Sequence, residues 1–226
     1  MIVVVGSPLV RTSEAGPRAA GMAIGIARAA AAAGSDVQVV GKVGEDPGGD
    51  AVLLDLTAAT VGHAAILRDP SRPTPVSQRP APDEVAPFDE PDGQPTAGVD
   101  DASRVPVGGL PLEPADIELA LRYLSDYRVL VVADPLAEPS LRVALAAASW
   151  TGAALVVIVP NGTTQPLAAD DATVIEGPPD DPDDAFAGVV GAYAAAIDRG
   201  EEPAEAFASA SQARGWSTAT DSAAAD

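Results

Sequence analysis

Four short apolar runs constrain this chain more than any other feature. They are Ile2 to Val5, the stretch 36–44, the stretch 128–135 and the stretch 153–160, each rich in valine. Between them lie longer segments of small residues with helical character: 18–34, 47–62, 113–127 and 140–152. The first of these ends at Gly34, a natural helix C-terminal stop. Short buried strands alternating with helices argue for a parallel sheet covered by helices. A further strand is expected at 172–177, a long apolar helix after Asp184 and a final helix over 202–215.

At 226 residues the chain reads as one α/β domain spanning 1–226, long enough for a sizeable core. Hydrophobic residues make up 47% but aromatics only 4%, so that core must be close-packed Ala, Val, Leu and Ile. The segment 79–106 breaks the pattern, being rich in Pro, Asp, Glu and Gly, and reads as an acidic surface loop. The tail 217–226 is expected to fray. No run approaches the roughly 18 apolar residues of a membrane span, and the N-terminus reads as a strand rather than a signal peptide. The expected location is cytoplasmic.

Thirty-three acidic residues against thirteen basic ones give a net charge of −20. Such a field repels nucleic acid and anionic membrane, and disfavours a polyphosphate substrate unless magnesium offsets it. A single lysine, Lys42, and abundant Asp and Glu are the pattern of a halophile's protein. At molar salt the screening length falls to about 3 Å, which makes this charge tolerable. With no cysteine and one histidine, His63, thiolate metal sites and zinc clusters are excluded. Lys42 reads as a snorkelling or surface residue, and His63 as part of a helix-to-strand turn. Trp150 and Trp216 read as packing anchors. Arg11, Arg18, Arg68 and Arg72 read as scattered surface arginines rather than a converged anion site.

One stretch raises a chemical question. Residues 178–188 read Pro-Pro-Asp-Asp-Pro-Asp-Asp-Ala-Phe-Ala-Gly and open an apolar helix. Helix N-termini favour anions through their unpaired amides and macrodipole. Here the chain places its own carboxylates at that position.

Several segments together resemble the ribokinase or PfkB family of sugar and nucleoside kinases. They are 3–11, the glycine-rich stretch 16–56 with its Val-Gly-Glu-Asp-Pro-Gly-Gly-Asp turn, 66–76 with its Pro-Thr pair, and 183–200. The resemblance implies a ribokinase-like three-layer α/β/α sandwich with a mainly parallel central sheet. It also implies ATP and magnesium as cofactors if the protein is active, and a small-molecule sugar or nucleoside as partner. By position, Asp184 matches the family's catalytic base, Arg11, Gly16 and Gly21 match substrate-binding positions, and Glu176 matches a metal-associated position.

The departures are as informative. The family's phosphate-binding Gly-Ala-Gly amides fall on Asp181, Pro182 and Asp183. Pro182 has no amide hydrogen to donate. A like-charge contact at 4 Å costs about 4 kcal/mol at an effective dielectric of 20, more than one oxyanion-hole hydrogen bond supplies. About nine residues separate Gly6 from Gly16, too short an interval for the family's lid strands, so these are expected to be absent. A family-type lid dimer is then not expected, and the oligomeric state is open. The expectation is a degenerate member, a pseudokinase in which Asp184 serves as a helix-terminal acid and no cofactor is firmly implied. A minimal active kinase using Asp184 as base, and a non-catalytic Rossmann-like interaction protein, are the alternatives.

Overall fold

The computed structural model describes residues 1–13, 16–77, 109–163, 172–178, 181 and 183–213. The acidic segment 79–106, Pro182, Trp216 and the tail 217–226 lie outside the described residues. The N-terminal half runs β1 (Ile2–Val5), β2 (Leu9–Ser13), β3 (Gly16–Ala20), α1 (Met22–Ala32), β4 (Val37–Gly44), α2 (Pro47–Ala58) and β5 (Gly62–Asp69). The C-terminal half runs α3 (Pro114–Tyr123), β6 (Val129–Val132), α4 (Glu138–Thr151), β7 (Ala154–Pro160), β8 (Ala172–Gly177), α5 (Ala185–Asp198) and α6 (Pro203–Ala213).

Six strands form one sheet in the order β5-β4-β1-β6-β7-β8, and every pairing is parallel. Side chains alternate across it with period two. In β1, Ile2 and Val4 join a core shared with α1, α2, α5 and α6, while Val3 and Val5 join a second core shared with α3 and α4. The result is the expected three-layer α/β/α sandwich with a parallel central sheet. Among the described residues no helix is long and apolar enough to cross a membrane.

The alanine-rich composition has a structural use where α1 meets α5. A Cβ on Gly191 would lie 2.5 Å from the Ile26 carbonyl oxygen, and one on Gly25 would lie 2.7 Å from the Ala187 Cβ. The two helices approach until backbone meets backbone, a contact that only glycine and alanine permit.

Four sequence expectations need correction. A two-stranded antiparallel hairpin, β2–β3, stands where lid strands were expected to be absent, with Arg11 paired to Arg18 and Leu9 to Ala20. Each strand is only five residues long, and Val76 adds a parallel bridge to Val10 on the other side. Helix α1 therefore begins at Met22, after Gly21 at φ 105°, and not at Arg18. Trp150 is 91% exposed near the end of α4, so it anchors nothing. His63 lies inside β5, not in the turn before it.

The turn at 43–50 joins two segments that the sequence shows only as separate motifs. Asp46 caps α2 by accepting the Gly49 amide at 2.8 Å, and it also accepts the Thr74 hydroxyl at 2.6 Å and the Thr74 amide at 2.7 Å. Thr74 in turn takes the Gly44 amide on its hydroxyl oxygen. Burial of Asp46 works against its charge, but these bonds to Thr74, Gly49 and Gly48 hold its carboxyl below the ordinary range.

Candidate ligand-binding site

From β1 the chain builds outward through β4 and β5, then crosses by α3 to β6 on the other side of β1. The carboxyl ends of β1 and β6 are thus the point where strand order reverses, the place where open α/β sheets hold ligands. Each strand carries a functional group just beyond its last residue. After β1 come Gly6 and Ser7, and after β6 come Ala133 and Asp134. The Ser7 amide donates to Asp134 Oδ2 at 2.7 Å, tying the two strand ends together. A Cβ on Gly6 would lie 2.5 Å from that same oxygen, so the close approach requires glycine.

Asp134 borders a cavity of about 400 Å³ whose wall includes Ser7, Leu9, Gly21, Met22 and Leu112. An adjoining cavity of about 300 Å³ runs from Asp134 toward Asn161 and Gly177. Burial pushes the Asp134 carboxyl above its ordinary range, against the stabilising bond from Ser7. A carboxyl group kept in a mostly apolar crevice at an electrostatic cost is the usual mark of a binding or catalytic position. Sequence reasoning misses it, because one Asp after a buried strand carries no signal until the strand order is known.

The positions singled out from the sequence divide into three groups. Gly21 lines the cavity, and Arg11 sits on the hairpin strand whose Leu9 does the same. Gly16, at φ 102°, opens β3 opposite Ser13, where a Cβ would meet nothing within 4 Å. Glu176 is exposed on the edge strand β8, and no group of three or more potential metal ligands occurs among the described residues. The arginines do not converge. Arg18 pairs with Asp55, Arg68 with Asp50 and Arg72 with Asp69. Lys42 is tied at 2.6 Å to Asp116 of α3, with only 15% of its side chain exposed.

At the start of α5 the local geometry is specific. Asp184 occupies the N-cap position with φ 51°, one of two described non-glycine residues at positive φ. Its side chain makes no capping bond, and the residue is exposed, as is Asp183. Asp181 supplies the cap. Its Oδ1 accepts the Phe186 amide and its Oδ2 accepts the Ala187 amide, both at 2.9 Å. Two first-turn amides of the helix are therefore taken by a carboxylate of the same chain.

No family model matches this sequence, and no curated protein matches it. Solved structures do. "Sa239" is similar at a TM-score of 0.64 and 14% identity, covering 99% of this chain and 96% of that one. An E. coli protein assigned as ribokinase II, in its apo form, is similar at 0.61 and 12%, over 92% and 90% of the two chains. A PfkB protein from Polaromonas sp. JS666 is similar at 0.59 and 14%, over 96% and 97%. At such identities the likeness speaks to fold and to nothing finer. In its fold, this chain is built like the ribokinase/PfkB sugar kinases.

Proposed function

We propose that this protein is a ribokinase-like carbohydrate-binding protein that holds a small polyhydroxy ligand, a sugar or nucleoside, in the β1/β6 crevice and lacks efficient ATP-dependent phosphorylation. Asp134 accepts a ligand hydroxyl on the oxygen not used by Ser7, and Leu9, Met22 and Leu112 shield the carbon skeleton. The observation that carries the loss of transfer is the Asp181 carboxylate on the Phe186 and Ala187 amides. A phosphoryl group approaching that helix end meets a bound negative charge in place of open donors.

The E. coli protein of the same fold has also been solved with ATP and Mg2+. The residues here do not fit that group. The Phe186 and Ala187 amides are occupied, Asp183 and Asp184 add charge of the same sign, and Glu176 belongs to no cluster of potential metal ligands among the described residues. No chemical step is therefore assigned through nucleotide or metal. The minimal-kinase reading draws on one feature, the strained and exposed Asp184 at the helix start, since backbone strain collects at working positions.

Titration of the protein with ATP and magnesium by calorimetry, joined to a sugar-phosphorylation assay, separates the two readings. No micromolar binding and no turnover sensitive to Asp184→Asn is expected. Micromolar affinity with turnover abolished in Asp184→Asn would establish the kinase instead.

A further inference from the structure

Among the described residues of this acidic protein, one cation has no counter-ion. Among the described residues, every lysine and arginine except Arg11 forms an ion pair with a carboxylate. Even exposed arginines such as Arg122 and Arg142 find a glutamate one helical turn away. Arg11 forms none, and its Nε is buried without a hydrogen-bond partner. With acidic residues outnumbering basic ones thirty-three to thirteen, an unpaired guanidinium is not the outcome that chance packing gives. A buried donor left without a partner is costly, and in a native structure it points to a group that arrives from outside.

Its place in the fold says where that group comes from. Arg11 is two residues beyond Leu9 in β2, and alternation along a strand puts the two on one face. Leu9 lines the cavity that contains Asp134, whereas Val10, on the opposite face, packs into the core beside Gly48 of α2. The hairpin therefore offers the crevice a cation on its outer side, and the β6 end offers an acceptor on its inner side.

We infer that the crevice ligand is a small polyhydroxy compound bearing an oxyanion, a carboxylate or a phosphate ester, with the oxyanion held by Arg11. This rests on the crevice being the ligand site. The guanidinium fork matches the two oxygens of either group. The acid excess then orients the ligand, because the anionic end is repelled from Asp134 and from the carboxylates before α5 and is accepted at the hairpin.

The test compares D-glucitol, D-gluconate and D-glucitol 6-phosphate, a matched six-carbon series, by calorimetry on the full chain and on Arg11→Gln and Arg11→Lys. The wild type is expected to bind one anionic member on the order of ten- to a hundred-fold tighter than glucitol. Which member it prefers tells carboxylate from phosphate. The preference should shrink to about twofold in Arg11→Gln and survive in part in Arg11→Lys, where charge stays and the fork goes. Equal binding of all three probes, or a preference that persists in Arg11→Gln, overturns the inference while leaving the crevice site intact. Failure of all three to bind overturns the site as well. The melting temperature of Arg11→Gln should match or exceed wild type; a clear fall makes Arg11 a packing residue and also counts against the inference.

Discussion

Asp134 and Asp198 are both carboxyls set against the core, yet their environments drive them in opposite directions. Burial dominates at Asp134, and one amide bond does not compensate, so its carboxyl is raised. At Asp198, which is 6% exposed, burial also works against the charge. There the Met1 amino group at 2.9 Å, Ser35 and Arg128 more than offset it, so that carboxyl is lowered. The consequences for stability have opposite sign. Asp198 stabilises the fold above the ordinary carboxylate value, and that contribution is lost as pH falls through its depressed value. Asp134 costs nothing below the ordinary value and destabilises the fold progressively as pH rises toward its elevated one. Asp134→Asn keeps an oxygen for the Ser7 amide and cannot ionise. Its melting temperature should exceed wild type at neutral pH and converge with it near about pH 4. Polyol binding, measured alongside, should weaken, separating a cost borne for ligand from an accident of packing.

At the scale of elements, the α1–α5 contact is the least forgiving in the molecule. Gly191→Val would drive side-chain atoms into the Ile26 carbonyl oxygen, which a Cβ alone would already meet at 2.5 Å. A loss of about 1–3 kcal/mol or more in urea unfolding is expected. Trp150→Ser, by contrast, removes a large aromatic side chain from a position that is 91% exposed, and should stay within about 0.5 kcal/mol. Sequence composition alone ranks these two changes the other way. The strands at 2–5, 129–132 and 154–160 were readable because buried valine runs have few alternatives. The helices around them were readable because alanine and leucine dominate and Gly or Pro punctuates. The hairpin was not, since counting residues against the size of larger lids says nothing about how short a turn can be. Asp181 was legible as an acid before a helix, but not as the residue whose two oxygens take two amides. That depends on a loop path that spacing does not determine.

For the whole molecule, the governing quantity is a net charge of −20 on 226 residues. Ion pairs neutralise the described basic residues other than Arg11 locally and leave the acid excess without counter-charge. Self-repulsion of that excess destabilises the compact state, and added salt screens it. The melting temperature is therefore expected to rise from low ionic strength to about 1 M KCl, where the screening length is about 3 Å. A fall across that range would mean that the paired arginines contribute more than the unpaired acids cost. The same scale explains why Asp134 is not legible in the sequence. It matters because β1 and β6 are neighbours, and that adjacency arises only when the chain crosses from β5 through α3 to the far side of β1.

The Asp46 clasp has a mechanical side. Thr74 is bound to the cap of α2, and two residues on, Val76 is bridged to Val10 of the hairpin, where the Ser77 amide donates to the Val10 carbonyl at 2.7 Å. Asp55, further along α2, holds the other hairpin strand through the Ala19 amide. The roof of the crevice is thus strapped to α2 at two points, one near each end of the helix. The hairpin cannot lift away from the sheet by itself: it must break a strap or take α2 with it. Any displacement of that roof would then be the tilting of a helix-backed plate, with Asp46 as one of its hinge pins.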